Sequence, residues 1–99
     1  MTFRLRVAPQ AEAQIEEASD WWVKNRSAAR GLFDEELERA FAAIRSMPGV
    51  GQPVVHARRA GVRRMFMARV SYHVYYVEAG EVIEVLAVWH SARGSEPVL

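Results

Sequence analysis

The sequence predicts an α+β domain in which one strand and two helices precede three antiparallel strands. Three observations carry that expectation. Residues 3–7 alternate apolar Phe3, Leu5 and Val7 with Arg4 and Arg6, the two-residue period of a half-buried strand. Residues 11–44 repeat apolar side chains at helical spacing, with one interruption near Ser27. Residues 62–93 read VRRMFMARVSYHVYYVEAGEVIEVLAVWHSAR, three short strands that are in turn arginine-rich, tyrosine-rich and almost wholly apolar. Two helices with one apolar stripe each must cover those stripes, and one face of an antiparallel sheet does so. The expected architecture is therefore an N-terminal strand, a two-helix antiparallel hairpin and a three-stranded antiparallel run, with both helices on one face. At 99 residues the chain is a single domain, 1–99, with one modest core.

Pro9 suits the first turn of a helix. Ala11, Ile15, Ala18 and Trp22 then fall on one helical face, and Glu12, Glu16 and Glu17 complement the positive end of the helix dipole. This helix is expected to reach Lys24 or Asn25. Ser27 is the expected N-cap of a second helix, with Phe33, Leu37, Ala40, Phe41 and Ile44 as its apolar stripe. Gly31 falls inside that helix, where it costs about 1 kcal/mol relative to Ala and marks a close helix–helix approach. A link of two or three residues makes the pair a hairpin. Met47-Pro48-Gly49 ends the second helix, residues 48–61 read as a loop, and Glu78-Ala79-Gly80-Glu81 is the turn between the last two strands.

Composition narrows the function classes. The chain has no cysteine, which excludes disulfides and Cys-based zinc sites and fits a cytoplasmic location. The N-terminus lacks the apolar run of a signal peptide, and no stretch has the length of a membrane span. His56, His73 and His90 lack the short spacings of a metal site, so neither metal nor cofactor is expected. The net charge of +1 conceals an uneven distribution. Residues 10–47 carry eight acids against five bases, whereas residues 56–76 carry Arg58, Arg59, Arg63, Arg64 and Arg69 and no acid. Such a block serves an anionic partner or simply solvates a strand edge.

The candidate site residues follow. His90 closes an apolar strand, where it acts as a general acid or base, or caps the strand by hydrogen bonding. Arg93 lies just beyond it. Arg63 and Arg64 are adjacent and so point to opposite faces of a strand; the one on the open face is placed to hold a phosphate or carboxylate. Arg69 precedes the tyrosine-rich strand in a turn. Tyr72, Val74 and Tyr76 share one face of that strand, and His73, Tyr75 and Val77 the other. Aromatic and basic groups on one sheet face stack bases and neutralise phosphates, although tyrosine is also simply a good strand residue. Trp22 continues the apolar stripe, which leaves Trp21 partly exposed as a partner surface or as cover for the hairpin edge.

Taken together, Ala8-Pro9, the helix from Ala11 to Trp22, Ala28-Ala29 with Phe33, Met47-Pro48-Gly49, Gly61-Val62-Arg63-Arg64, Tyr72-His73-Val74-Tyr75-Tyr76 and Val88-Trp89-His90-Ser91-Ala92-Arg93 resemble the ParE/RelE superfamily of toxins from type II toxin–antitoxin modules. The resemblance spans nearly the whole chain. It implies a cognate antitoxin, ParD-like or related, in a hetero-oligomer whose acidic groups meet the arginine block. It also implies growth arrest and plasmid stabilization as the biological setting. Members of the RelE branch cut messenger RNA on the ribosome with basic sheet residues and often a C-terminal tyrosine; members of the ParE branch are associated with inhibition of DNA gyrase. By resemblance, Arg63 or Arg64 takes the sheet-arginine role, His90 the basic position at the end of the last strand, and Arg93 assists. The chain departs from the nuclease pattern in three ways. It ends Glu96-Pro97-Val98-Leu99 without an aromatic, it has His73 where a further arginine is often seen, and its isoelectric point is only about 8.2. The long helical hairpin also resembles ParE. The expectation is thus a ParE-like gyrase inhibitor, with a metal-independent mRNA endoribonuclease as the alternative and an inactive antitoxin-binding module as a third reading.

Overall fold

The computed structural model describes residues 2–55 and 58–99. His56 and Ala57, within the expected 48–61 loop, lie outside the described residues. The chain runs β1 (Arg4–Val7), α1 (Pro9–Asn25), a 3-10 turn (Ser27–Ala29), α2 (Leu32–Ser46), a second 3-10 turn (Pro48–Val50), β2 (Gln52–Pro53), β3 (Arg63–Met67), β4 (Tyr72–Ala79) and β5 (Val82–His90). The strands form one sheet in the order β1-β5-β4-β3-β2. The expected α+β class and helix–sheet layering are present. Two features were not foreseen. The sheet is mixed, because β1 runs parallel to β5, with Arg4 opposite Val82 and Val7 opposite Val85. A fifth strand, β2, extends the other edge by pairing Gln52 with Arg64 and Pro53 with Arg63.

The helices form where their apolar stripes require them. Pro9 opens α1, and Ala11, Ala18 and Trp22 are buried beneath it. Phe33, Leu37, Ala40 and Ile44 are buried along α2. They meet Met67, Val74, Tyr76, Ile83, Val85 and Val88 in the main core. The start of α2 corrects the expectation at Ser27. Residues 27–29 form a separate 3-10 turn, and Gly31 is the residue that precedes α2. Space around Gly31 is open, so it marks no close helix–helix approach. Arg30 occupies the position where a Ser27 cap needs an acid, and that leaves Ser27 a weak helix start.

The face opposite the helices is only partly open. Val62, Tyr75, Val77, Leu86 and Ala87 form a second small core there, with Val54, Trp89 and Leu99 packed against it. This is why β5 is apolar almost throughout: both of its faces are covered along much of its length. A bulge between the Tyr75–Ala87 and Tyr76–Val85 pairs admits Leu86 as the extra residue. Beyond Val7, where β1 ends, α1 takes over the edge of β5. Gln14 Oε1 accepts from the Val88 amide at 2.8 Å, and the Ala8 amide donates to the Val85 carbonyl at 2.9 Å. Among the described residues, no helix is long and apolar enough to cross a membrane.

Candidate functional site

The strand register separates the two central arginines. Arg63 pairs with Tyr76 and Arg64 with Tyr75, so Arg63 lies on the helix side and Arg64 on the opposite face. Arg63 is an internal tie: its Nη1 donates to the Gly51 carbonyl at 2.7 Å and reaches that of Gly49 at 3.4 Å. The same loop is fastened by Tyr76, whose hydroxyl donates to the Pro48 carbonyl at 2.7 Å and accepts from the Gly51 amide at 2.8 Å. Burial raises the Tyr76 phenol above its ordinary pKa, although the hydrogen bond from Gly51 and the Arg63 charge oppose the rise. Tyr76 therefore keeps its proton and acts as a bolt.

Arg64 heads the exposed part of the opposite face. Its Nη1 donates to Tyr75 Oη at 3.2 Å, with the guanidinium 6.0 Å from the ring centroid. Among the described residues it has no carboxylate partner. One register step along, Phe66 and His73 face each other with ring centroids 4.8 Å apart, and His73 sits opposite Trp89. Phe66 is half exposed. Arg64, Phe66, His73, Tyr75 and Trp89 thus make a cationic–aromatic surface on three rigid strands. Burial, aided by the Arg64 charge, holds His73 below the usual imidazole value of 6.5. The unfolded chain takes up this proton more readily than the folded one. Stability from this source is therefore complete above about pH 6.5 and declines as pH falls below it. Denaturant midpoints from about pH 7.5 down to about pH 5.5 measure the decline, and His73→Gln is expected to flatten it.

His90 sits where β5 ends, on the helix side. Its Nδ1 accepts from the Ala92 amide at 3.0 Å, which is the capping arrangement. Its ring meets Tyr72 edge-on at 4.9 Å. Arg93 stacks 4.1 Å over the Trp89 ring and reaches Glu17 at 3.8 Å. Burial raises Tyr72, against the lowering charge of Arg93. The remaining arginines of the basic block disperse. Arg59 pairs with Glu84 at 3.0 Å, which also meets Arg6 at 3.4 Å. Arg69, in the β3–β4 turn, reaches Glu36 at 3.8 Å. Arg58 is exposed. The expected arginine block is thus several separate sites, because Arg59, Arg63 and Arg69 each tie to a different part of the chain.

Trp21 is exposed on α1 as expected, edge-on to Trp22 at 5.9 Å. The sequence reading missed Arg26, whose guanidinium lies 5.4 Å from the Trp21 ring and 5.9 Å from that of Trp22. The spacing from Trp22 to Arg26, one helical turn, was the available signal. Among the described residues no cluster of His, Asp and Glu can hold a metal ion.

This topology, a strand and two helices followed by antiparallel strands with the helices on one face of the sheet, is the fold of small toxins of the ParE/RelE type. The ParDE system of P. aeruginosa contains a chain with TM-score 0.71 and 16% identity, covering 90% of this chain and 96% of that one. The RelBE2 toxin–antitoxin complex of Mycobacterium tuberculosis gives TM-score 0.61 and 20% identity, with 91% and 99% covered. A mutant of E. coli RelE in the free state gives 0.60 and 17%, with 93% and 86% covered. No curated protein matches in sequence. Residues 5–94 match the family described as ParE toxin of type II toxin-antitoxin system, parDE. The chain belongs to that family.

Proposed function

We propose that this chain is a toxin that arrests growth by inhibiting DNA gyrase and is held inactive by a ParD-like antitoxin. The family match over residues 5–94 carries the reading. The character of the exposed face supports it. Arg64 rests on Tyr75 and Arg93 on Trp89, and at the adjoining strand end, on the helix side, His90 Nδ1 is engaged by a backbone amide. Groups so held form a pre-shaped docking surface, in which cations supply complementarity and aromatics the anchors. The antitoxin is expected to present acidic and apolar side chains to the same surface.

One observation favours a second reading. His73 is kept below its usual pKa beside Arg64, and an uncharged imidazole next to a guanidinium is a base paired with a phosphate-binding cation. That arrangement is compatible with cleavage of a phosphodiester, although an arginine is often seen at the position of His73 in the nuclease branch. Purified toxin is therefore tested in parallel for inhibition of gyrase supercoiling and for cleavage of ribosome-bound message. Supercoiling inhibition with intact message is the expected result. Cleaved message with unimpaired supercoiling establishes the nuclease instead, and failure of both leaves an antitoxin-binding module.

A further inference from the structure

A hollow lies on the helix side of β5, meeting the groove beside Arg64 at His90 and Arg93. It is open to solvent, has a volume of about 530 Å³, and is lined by Trp21, Trp22, Arg26, Arg69, Tyr72, His90 and Arg93, together with Ser71. We propose that this hollow is a binding site for a nucleotide, a planar base joined to a phosphate.

Four features converge on that chemistry. The volume falls within the range of small-ligand sites, roughly 300–1,000 Å³. Three aromatic side chains line it, and base–aromatic stacking is indifferent to base identity because every base has a π-face. Three guanidiniums reach it from three separate elements: Arg26 from the end of α1, Arg69 from the β3–β4 turn and Arg93 from beyond β5. Their carboxylate contacts are long, 3.8 Å for Arg69 with Glu36 and 3.8 Å for Arg93 with Glu17. A phosphate offers tighter, charge-assisted hydrogen bonds than either. With Nδ1 of His90 accepting from Ala92, Nε2 is left to donate.

The fourth feature is Ser71. It is the one non-glycine residue with positive φ among the described residues, at +61°. Glycine adopts that conformation without strain. Serine there puts a polar residue in the lining of the hollow at the expense of backbone strain, as ligand-contacting residues often do.

The phosphate has two sources, a free mononucleotide or the phosphorylated end of a nucleic-acid strand. Calorimetric titration of the purified full chain separates them. The probes are adenosine monophosphate, adenosine, inorganic phosphate, and a short oligothymidylate with and without a 5′-phosphate. The monophosphate is expected to bind at least about tenfold more tightly than adenosine or phosphate alone, because it engages both aromatics and guanidiniums. Preference for the 5′-phosphorylated oligonucleotide over the mononucleotide assigns the strand end as the source. Arg26→Gln and Ser71→Gly are each expected to weaken binding several-fold. Ser71→Gly relieves a strained backbone, so its loss of binding is separable from unfolding. Arg4→Gln, on the exposed side of β1, is expected to leave affinity unchanged. The proposal is overturned if phosphate alone binds as well as the monophosphate, if no nucleotide binds, or if Arg4→Gln is as damaging as Arg26→Gln. It is also overturned if an acidic tryptophan-containing peptide is bound in preference to every nucleotide.

Discussion

Gly51→Ala is expected to destabilise the fold by about 2–3 kcal/mol, a large share of a small domain's stability. The reason is space, not backbone conformation. A Cβ at Gly51 would lie 2.6 Å from the Tyr76 hydroxyl and 2.8 Å from the Arg64 carbonyl. Neither can retreat: the hydroxyl is fixed between Pro48 and Gly51, and the carbonyl belongs to a strand. Tyr76→Phe removes the same bolt from the other side. It leaves the Gly51 amide and Pro48 carbonyl without that partner, at about 1–3 kcal/mol. Gly49→Ala, in the same loop but facing open space, is expected to stay within about 0.5–1 kcal/mol of the parent. Urea denaturation of the three variants checks the ranking. Equal midpoints for Gly51→Ala and Gly49→Ala would show that the loop yields and that Tyr76 does not clamp it.

Arg64→Ala is expected to abolish gyrase inhibition while costing the fold about 1 kcal/mol or less, because one hydrogen bond to Tyr75 is lost from a half-buried position. Arg63→Ala is expected to do the reverse. Its bonds to the Gly49 and Gly51 carbonyls hold the loop, so stability falls by about 1–2 kcal/mol and inhibition persists in the folded fraction. The decisive measurement is inhibition per folded molecule, with the folded fraction read by circular dichroism. If the two variants are equally inactive after that correction, the exposed face does not carry the activity. In the nuclease case the same pair separates in a cleavage assay.

The apolar periodicity that predicts α1 and the core stripe of α2 acts locally, and those elements appear as read. The start of α2 was misread because Ser27 has the chemistry of a cap but not the following acid, and the chain inserts a 3-10 turn before committing to the helix. β2 was invisible: two residues, one of them proline, carry no period. The parallel pairing of β1 with β5 joins segments far apart in sequence, and no local pattern encodes it. For the site, alternation correctly put Arg63 and Arg64 on opposite faces, but only the register with Tyr76 and Tyr75 decides which is which. The five-arginine block looked like one surface in one dimension. Arg59 and Glu84, 25 positions apart, show why it is not.

The place of β5 in the sheet has a consequence for when the protein becomes competent during its synthesis. β5 is the last of the five strands to be made, yet it lies between β1 and β4. Until it emerges, β1 has no neighbour in the sheet, and the buried Ile83, Val85 and Val88 are missing from beneath the helices. Every earlier portion of the chain is an incomplete core, held open by the entropy of bringing Arg4 to Val82. Folding therefore waits until β5 has been made, and a nascent chain that stops short of it has neither a closed sheet nor the strand end on which its activity is proposed to depend.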